Sequence, residues 1–344
     1  MSKMRFLAVV LLTMSVAACG LLPATPTPAP ASPIPEPATE TPTPFQPVFP
    51  TDTPTPTETP TITPTPVDPW ENFPGPDRDS ATAIPRPIRT VVGADSRINI
   101  IVLGTDDASG RTSMNSDVMV LVSIDTESWT VSLISFPRDL YVYVPGRNMT
   151  RINTAFAYGG RDLVAQTLLY NFGIEVDYYA RVNFASFVRA VDTLGGIDVE
   201  VANYLSDECG GTWYTYQAGR TYHMNGQTAL CYVRMRKNSG GDFGRHIRAQ
   251  EVLLAIFAKT VSLEGLTRIP ELYGQYSQTV DSDLDLTDIV PLVPIAAQVA
   301  QEPTVRIRRF TLAGMIEAWT TPGGGYVLLP DKEAIQAMLE IALN

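Results

Sequence analysis

The sequence predicts an α/β fold with a mixed central β-sheet flanked by helices on both faces. From about residue 89 onwards, apolar strand-like segments alternate with amphipathic helix-like segments, which is the order expected of a covered mixed sheet. The segment Ile98–Leu103 is a continuous apolar run that ends at a Gly-Thr-Asp-Asp turn, as in strands buried on both faces. Residues 89–344 are enough for one large domain with a full core.

The amino terminus is typical of a bacterial lipoprotein precursor. Residues 1–18 combine a basic start, an apolar run and small residues directly before Cys19, the pattern of a cleavage site with Cys19 as the lipidated residue. The alternative is an ordinary secretory signal with a chance cysteine. The lipoprotein hypothesis places the mature chain at the outer face of the cell membrane, held by its lipid anchor.

Residues 19–88 predict a disordered linker. Leu21–Pro69 consists largely of Thr-Pro repeats, which cannot bury a core and favour extended polyproline II conformation. We interpret this stretch as a spacer, and an O-glycosylated stalk is the other reading.

Acidic side chains lie at the ends of the first predicted strands. Asp106 follows Ile98–Leu103, Asp117 precedes a strand at Val118–Ile124, and Arg138 and Asp139 follow a strand at Thr130–Ser135. The carboxyl end of a central strand is where α/β folds place ligand sites. Asp106 and Asp117 are therefore candidate ligands for Mg²⁺ (or Mn²⁺), although an Asp at such a junction more commonly caps a turn.

The middle and the end of the chain supply the rest of the predicted elements. Gly-Gly pairs and turn residues delimit segments of helical or strand-like period, and residues 202–220 are polar and turn-rich. Helices are predicted at 151–158, 161–172, 183–194, 244–262, 285–300 and 331–343, strands at 177–182, 197–201 and 305–312, and a hairpin or loop around 323–325.

Basic residues are concentrated in the stretch 231–251. Arg234 and Arg236 share a face if the backbone there is extended, and Arg245 and Arg248 share a face of a helix. Guanidinium groups that converge suit a pyrophosphate, because each binds two oxygens. The alternative is a solvated charge run.

Two cysteines remain if Cys19 carries lipid. In an exported protein, the two cysteines Cys209 and Cys231 predict a disulfide, which would hold the polar segment beside Arg234. Two free thiols are the alternative.

Seven segments in order give the sequence a family resemblance. They read IVLGTD, NSDVMVLVSID, LISFPRDLYV, INTAFAYGG, RVNF…LGGIDVEV, YVRMRK and DFGR..RAQEV, and they extend over about residues 99–260. This order resembles the LytR–CpsA–Psr family of bacterial cell-wall phosphotransferases. The resemblance implies an α/β fold with an apolar polyprenyl pocket, and transfer of a glycan phosphate from a polyprenyl-pyrophosphate carrier to a peptidoglycan hydroxyl, assisted by Mg²⁺.

The resemblance also assigns roles to residues. Asp106 and Asp117 match the metal-associated acids, and Asp139 matches the acid that we expect to orient Arg138. Gln250 matches a glutamine of the last motif. The pyrophosphate-binding arginines are matched by Arg138, Arg234, Arg236, Arg245 and Arg248. One departure is Asn115, where the family often has an arginine, and Arg111 is the candidate substitute.

Other functions stay open at this point. The same site would serve a pyrophosphatase that gives the glycan phosphate to water, and a pocket with arginines would serve a non-catalytic carrier of isoprenoid lipid. A stalked structural lipoprotein is a further possibility. Nucleic acid is not an expected partner, because the chain has a net charge of −11.

Overall fold

Fourteen strands and eight α-helices, numbered in chain order, are found in the part of the chain that a computed structural model describes, residues 84–88, 92–106, 115–236, 241–262, 273, 274, 277 and 280–344. The strands are β1 Arg97–Thr105, β2 Ser116–Asp125, β3 Thr130–Ser135, β4 Tyr141–Tyr143, β5 Met149–Arg151, β6 Tyr178–Asn183, β7 Ile197–Val201, β8 Leu205–Cys209, β9 Thr212–Tyr216, β10 Arg220–Met224, β11 Asp281–Ser282, β12 Ile307–Thr311, β13 Ile316–Thr320 and β14 Tyr326–Pro330. The helices are α1 Thr154–Phe172, α2 Phe184–Thr193, α3 Gly226–Arg234, α4 Gly241–Thr260, α5 Leu286–Ile289, α6 Val293–Gln301, α7 Pro303–Arg306 and α8 Lys332–Leu343, with a 3₁₀ turn at Val290–Leu292.

The central sheet has six strands in the order β11-β6-β1-β2-β3-β12. Its centre is the antiparallel meander β1–β2–β3, to which β6 is added parallel to β1 and β12 parallel to β3. The predicted mixed sheet is therefore confirmed.

The turn between β2 and β3 is set by Asp125. Its Oδ1 accepts hydrogen bonds from the backbone N–H of Glu127 and Ser128, at 3.0 and 3.1 Å, which is the local bonding that makes Asp a turn former. Burial pushes the pKa of Asp125 upwards, but the hydrogen bonds from Ser128, Glu127 and Ser96 outweigh it and lower the pKa to about 2.

Helices flank both faces of the sheet, and the described part of the chain contains two hydrophobic clusters. On one face, the side chains of Ile101, Leu103, Met119, Leu121 and Ile134 are at most 1% exposed. They belong to a cluster that includes residues of α1 and α8. The second cluster is built from α2, β7, β8, α3 and α4.

Most predicted elements are present, with three differences. The strand at Ile197–Val201 pairs with β10 in a separate two-stranded sheet and does not join the central sheet. The turn-rich stretch 202–220 contains the β8–β9 hairpin. The hairpin was not predicted because its outward-facing side chains are mostly polar, as in a loop. The helix predicted at 285–300 is divided at Pro291 and Pro294, because proline cannot continue the hydrogen-bonding of a preceding turn.

The helix α1 contains the break that the sequence predicts. Gly159 and Gly160 have non-helical dihedral angles within it, and Gly160 has a positive φ of 61°. Glycine adopts this conformation without steric cost. The two halves, 154–158 and 161–172, therefore change direction at the Gly-Gly pair.

The residues just before the first strand contact the domain. Residues 84–88, assigned above to the linker, contact the domain, since Ile88 N donates to Tyr170 O at 2.9 Å and Tyr170 Oη donates to Pro85 O at 2.9 Å.

Among the described residues, none of the helices has the length and apolar character needed to cross a bilayer. The predicted signal segment and Cys19 lie outside the described residues.

Candidate active site

Strand register brings Asp106 and Asp117 to one end of the central sheet. Thr105, the last residue of β1, is opposite Ser116, the first residue of β2, whereas Gly104 is opposite Val118. Asp117 is therefore the extra residue of a β-bulge, and Asp106 directly follows the same position on β1. Bulges redirect side chains and are frequent beside active sites.

Gly104 allows the two strands to approach closely at the bulge. A Cβ atom at this position would lie 3.1 Å from Cβ of Val118, closer than ordinary van der Waals contact. The glycine of the LGTD segment therefore has a steric role next to both acids.

Arg138 contacts both Asp117 of β2 and its own neighbour Asp139. Its Nη1 donates to Oδ1 of Asp117 at 2.7 Å, and its Nε lies 3.4 Å from Oδ2 of Asp139. Asp139 also lies 3.5 Å from Nε of Arg151, which donates to Tyr326 O at 3.1 Å. The predicted role of Asp139 in orienting Arg138 agrees with this geometry.

Backbone hydrogen bonds hold the Arg138 loop against β2 through Asn153. Asn153 N donates to Arg138 O, and Asn153 O accepts from Ser116 N, both at 3.2 Å. Asn153 is thus the fixed point between the Pro-Arg-Asp loop and the bulge, which explains how acids and cations from distant segments keep a common geometry.

Buried oxygen atoms lie directly beneath this end of the sheet. Thr105 Oγ1, Ser116 Oγ and Asn153 Oδ1 are inaccessible to solvent and make no hydrogen bond within the described part of the chain. Buried polar atoms normally find a partner, and water or an ion serves where the protein does not.

Arg234 reaches the same end of the sheet through an aromatic contact. Its guanidinium carbon lies 4.7 Å from the ring centre of Phe184, a cation–π distance. Phe184 follows Asn183, which is opposite Thr105 in the β1–β6 pairing. Arg234 ends the helix α3 and does not lie on a strand, so the condition under which it would share an extended face with Arg236 is not met.

The remaining arginines of the basic stretch divide into exposed and buried groups. Arg236 has an exposed side chain, and its backbone N–H donates to Asp207 Oδ2 at 2.8 Å. Arg245 and Arg248 on α4 are 3% and 5% exposed, and Arg248 donates to the carbonyl oxygen of Met235. Arg248 therefore fixes the backbone that presents Arg236.

Gln250 holds α4 against the sheet. Its Nε2 donates at 2.9 Å to both Ser135 Oγ and Phe310 O, and its Oε1 accepts from Arg309 Nε at 3.1 Å. The side chain is 1% exposed. These contacts give Gln250 a positioning role, and its predicted role in substrate binding stays a prediction. They also place α4 beside Ser135, three residues before Arg138.

A buried acid lies behind the arginines. Tyr232 Oη donates to Glu251 Oε2 at 2.5 Å, and Ala202 N donates to Oε1 at 3.2 Å. Burial raises the pKa of Glu251, partly offset by these hydrogen bonds and by Arg309 and Arg248. Burial likewise lowers the pKa of the Arg248 guanidinium, and Glu251 is among the groups that oppose that shift.

The sheet face towards α4 is apolar but incompletely covered. Ile98, Val102, Val118, Val122 and Ile124 point to this side and remain partly exposed, although β1 and β2 are interior strands. Leu253 and Phe257 of α4 are also partly exposed. This apolar face ends at Gly104 and Val118, directly beside Asp106 and Asp117.

The donor atoms at the site fit a hard divalent cation. Mg²⁺ is commonly held by one or two carboxylates together with phosphate oxygens and water. The described residues contain no group of three His, Cys, Asp or Glu side chains in a metal-binding arrangement. A site of two carboxylates, next to buried hydroxyls and open to a phosphate, fits this type of coordination.

The disulfide partners lie close to the arginines. The Sγ atoms of Cys209 and Cys231 are 2.03 Å apart and their Cα atoms 5.7 Å apart, as in a disulfide. The bond joins β8 to α3.

Arg111 lies outside the described residues. The hypothesis that it replaces the arginine that the family often has at the position of Asn115 therefore stays a prediction.

Comparison with known proteins decides the family. The LytR_cpsA_psr family matches residues 77–343, most of the chain. The chain belongs to this family. It is 33% identical to the polyisoprenyl-teichoic acid–peptidoglycan teichoic acid transferase TagU of Oceanobacillus iheyensis. The aligned region of 223 residues covers 63% of this chain and 68% of TagU. The regulatory protein MsrR of Staphylococcus aureus is 34% identical over 182 residues, covering 52% of this chain and 54% of MsrR, so the match spans about half of that relative.

Solved LytR_cpsA_psr-like structures share the fold. The crystal structure of B. subtilis TagV superposes with a TM-score of 0.61 at 26% identity, covering 73% of this chain and 98% of TagV. The family fold predicted from the seven motifs is thereby confirmed.

Sequence reasoning missed three residues of the site. Asn153 lies in the INTAFAYGG motif and Arg151 directly precedes it, but neither was predicted to be a site residue, and Asp207 lies in the segment interpreted as polar turns. The residues that they contact are distant in sequence. The only signal for Arg151 and Asp207 is that each is a charged residue close to a named motif or cysteine, and no signal indicates Asn153.

Proposed function

We propose that this protein is an extracytoplasmic transferase that moves a glycan phosphate from a polyprenyl-pyrophosphate carrier to a hydroxyl group of peptidoglycan. The observation that carries the proposal is the position of Asp106, Asp117 and Arg138 at the edge of an apolar, incompletely covered sheet face. The name of the relative TagU describes the same class of reaction.

The apolar layer between the central sheet and α4 is suited to the polyprenyl chain. Its side chains retain accessible surface, and burying it against a lipid tail is favourable at about 25 cal/mol per Å². Because this layer ends beside Asp106 and Asp117, a chain lying in it would bring its pyrophosphate to the acids and to Arg138.

Cations at the sheet end would then bind the pyrophosphate. Arg138 is held by Asp117 and Asp139 and is partly exposed, and Arg234 and Arg236 have exposed side chains. These guanidinium groups stabilise negative charge on the leaving polyprenyl phosphate. Arg138, which is held in place before the reaction, needs little reorganisation during it.

The reaction forms one bond and breaks one bond. The acceptor hydroxyl oxygen attacks the phosphorus attached to the glycan, the bond from that phosphorus to the bridging oxygen breaks, and polyprenyl phosphate leaves with the electron pair. The hydroxyl proton passes to a base, for which Asp106 and Asp117 are the candidates. The pyrophosphate bond of the donor supplies the driving force.

Asp106 and Asp117 would also hold the divalent cation, Mg²⁺ or Mn²⁺. When bound, the ion supplies neutralisation of charge on the phosphate oxygens. Arg138 keeps Asp117 in place for this role through the 2.7 Å hydrogen bond.

The lipoprotein hypothesis fits this assignment. A lipid on Cys19 and a linker at 19–88 would keep the domain near the membrane that holds the polyprenyl carrier and within reach of the wall. Mass spectrometry of the mature protein tests it, because an acylated Cys19 at the new amino terminus is the expected product.

Transfer is tested directly with the purified full chain in detergent. The reaction contains a polyprenyl-pyrophosphate-linked oligosaccharide, peptidoglycan strands and MgCl₂, and the products are separated by mass spectrometry. We expect a phosphodiester-linked peptidoglycan product together with polyprenyl phosphate, lost in Asp117→Asn and on chelation of the metal.

The other functions give different products in the same experiment. Free glycan phosphate without the peptidoglycan product would identify a pyrophosphatase. Retention of intact donor on the protein, with no product and no effect of Asp117→Asn, would identify a lipid carrier and refute the transferase.

A further inference from the structure

The outer face of the β8–β9 hairpin carries an exposed tryptophan in a fixed orientation. Trp213 is 61% exposed, and its Nε1 donates to Ser206 Oγ at 2.9 Å. Ser206 Oγ in turn lies 2.9 Å from Thr215 Oγ1 across the hairpin. Because its polar atom is already bonded to the hairpin, the indole is held against the strands and its aromatic surface is left to solvent.

The surface around Trp213 combines aromatic and oxygen-bearing side chains. Glu208 is directly opposite Trp213 in the pairing of β8 with β9, and it is exposed. Tyr204, 51% exposed, directly precedes β8 and lies two residues before Ser206. Within β8, Ser206 and Glu208 are separated by roughly 7 Å, at a strand rise of about 3.3 Å per residue. We call Tyr204, Ser206, Glu208, Trp213 and Thr215 the hairpin platform.

The opposite face of the hairpin is built differently. Leu205 and Tyr216 are 2% and 5% exposed and belong to the second hydrophobic cluster. The inward residues therefore account for folding of the hairpin, and Trp213 has no part in that core. Tryptophan and tyrosine are enriched at binding interfaces, where a partner covers the apolar ring and the polar atom keeps a hydrogen bond.

We propose that the hairpin platform binds the sugar backbone of peptidoglycan, the acceptor strand of the transfer reaction. Sugar rings have an apolar face formed by C–H groups, which stacks on a flat aromatic ring, and hydroxyl edges, which hydrogen-bond to carboxylate and hydroxyl oxygens. Trp213 and Tyr204 supply the first kind of surface, and Glu208, Ser206 and Thr215 supply the second. This assignment rests on the proposed transferase function.

Charge favours the acceptor over the donor glycan. A glycan rich in phosphate would be repelled by the carboxylate of Glu208 next to Trp213, at a cost that is greatest at low ionic strength. Hydroxyl-rich amino sugars carry no such charge along their backbone and accept a carboxylate neighbour.

The hairpin is also continuous with the candidate active site. Asp207, between Ser206 and Glu208, accepts the backbone N–H of Arg236 at 2.8 Å, and Cys209 is joined to Cys231 of α3. The hairpin that carries the platform is thereby attached to the segment that presents Arg236, so a strand bound there is held on the same domain as the candidate active site, which raises the local concentration of acceptor hydroxyls.

The test measures binding of the full chain to peptidoglycan strands from which attached polymers have been removed. We expect Trp213→Ala to weaken binding about tenfold, equivalent to roughly 1.4 kcal/mol, and Trp213→Phe to retain most of the affinity. Ser206→Ala, which releases the indole from its hydrogen bond, should give an intermediate loss. Trp129→Ala is the matched control, since Trp129 is also exposed, at 39%, but lies in the β2–β3 turn.

Several outcomes would overturn the platform. Equal binding by Trp213→Ala and Trp129→Ala would do so, and so would a Trp213→Ala defect confined to the lipid-linked donor or to self-association in sedimentation. The proposed transferase function is judged separately: Asp117→Asn is expected to abolish transfer and to keep Trp213-dependent strand binding. If the wild-type chain binds strands through Trp213 but shows no transfer, the transferase function is refuted and the proposal for the hairpin platform is not.

Discussion

Replacement of Arg138 by lysine tests whether one guanidinium group must serve two acids. Nη1 of Arg138 donates to Asp117 at 2.7 Å while Nε lies 3.4 Å from Asp139, and a lysine ammonium is a point charge that cannot reproduce this fork. Loss of one charge-assisted hydrogen bond costs about 1.5–3 kcal/mol. If that energy is needed in the transition state, kcat/KM falls roughly 10- to 150-fold.

The assay is initial-rate transfer from the polyprenyl-pyrophosphate donor, with the folded fraction measured by circular dichroism. The Arg138 side chain is 26% exposed, so loss of its hydrogen bond should lower the free energy of unfolding by about 1.5–3 kcal/mol, and the rate is therefore expressed per folded molecule. Arg306→Lys is the control. Arg306 Nε lies 3.2 Å from Glu302 Oε2 in a comparable ion pair, and this pair lies away from the site. Activity of Arg138→Lys within twofold of wild type would refute the reasoning, as would a loss fully explained by unfolding.

Three further predictions concern stability. Replacing both Cys209 and Cys231 by alanine removes a cross-link over 22 residues and should cost about 3 kcal/mol in urea unfolding; alkylation of both thiols without reductant would show that the bond is absent. Gly226→Ala places a Cβ 2.2 Å from Val188 O and should cost about 2 kcal/mol or more, measured as a lowered Tm, and an unchanged Tm would contradict the packing of α3 on α2. Asp125 has a pKa lowered from 3.8 to about 2, so its contribution is present above pH 4 and is lost as the pH falls towards 2; Asp125→Asn should therefore flatten acid unfolding in that window, and parallel curves would contradict this.

The meander and its acids could be predicted because the signals are local. The strands β1 to β3 are apolar runs bounded by turn residues, and Asp106 and Asp117 lie at their ends in the printed sequence. The bulge that separates Gly104 from Thr105 in the pairing could not be predicted, since register depends on the fit of two strands and on the space left by Gly104. A one-residue difference there decides where Asp117 points.

The position of Arg234 shows a second limit of local reasoning. The letters YVRMR alternate as in a strand, yet Arg234 ends a helix that begins after Asn225, whose side chain accepts from Thr228 N at 2.9 Å. That cap favours the helix, and packing on α2 reinforces it. The contact of Arg234 with Phe184 joins residues 50 positions apart, and no sequence period indicates such a contact.

The division of the arginines explains how a cationic site can be rigid in an acidic protein. Burying the guanidinium groups of Arg245 and Arg248 is costly, and burial lowers the pKa of Arg248 accordingly. Glu251 and Asp207 offset part of that cost, and Asp207 also accepts the N–H of Arg236. The buried charges therefore fix the backbone from which Arg236 extends into solvent. An exposed arginine on a fixed backbone loses less conformational entropy when it binds a phosphate than one on a free loop, which is the preorganisation that charge-stabilising catalysis requires.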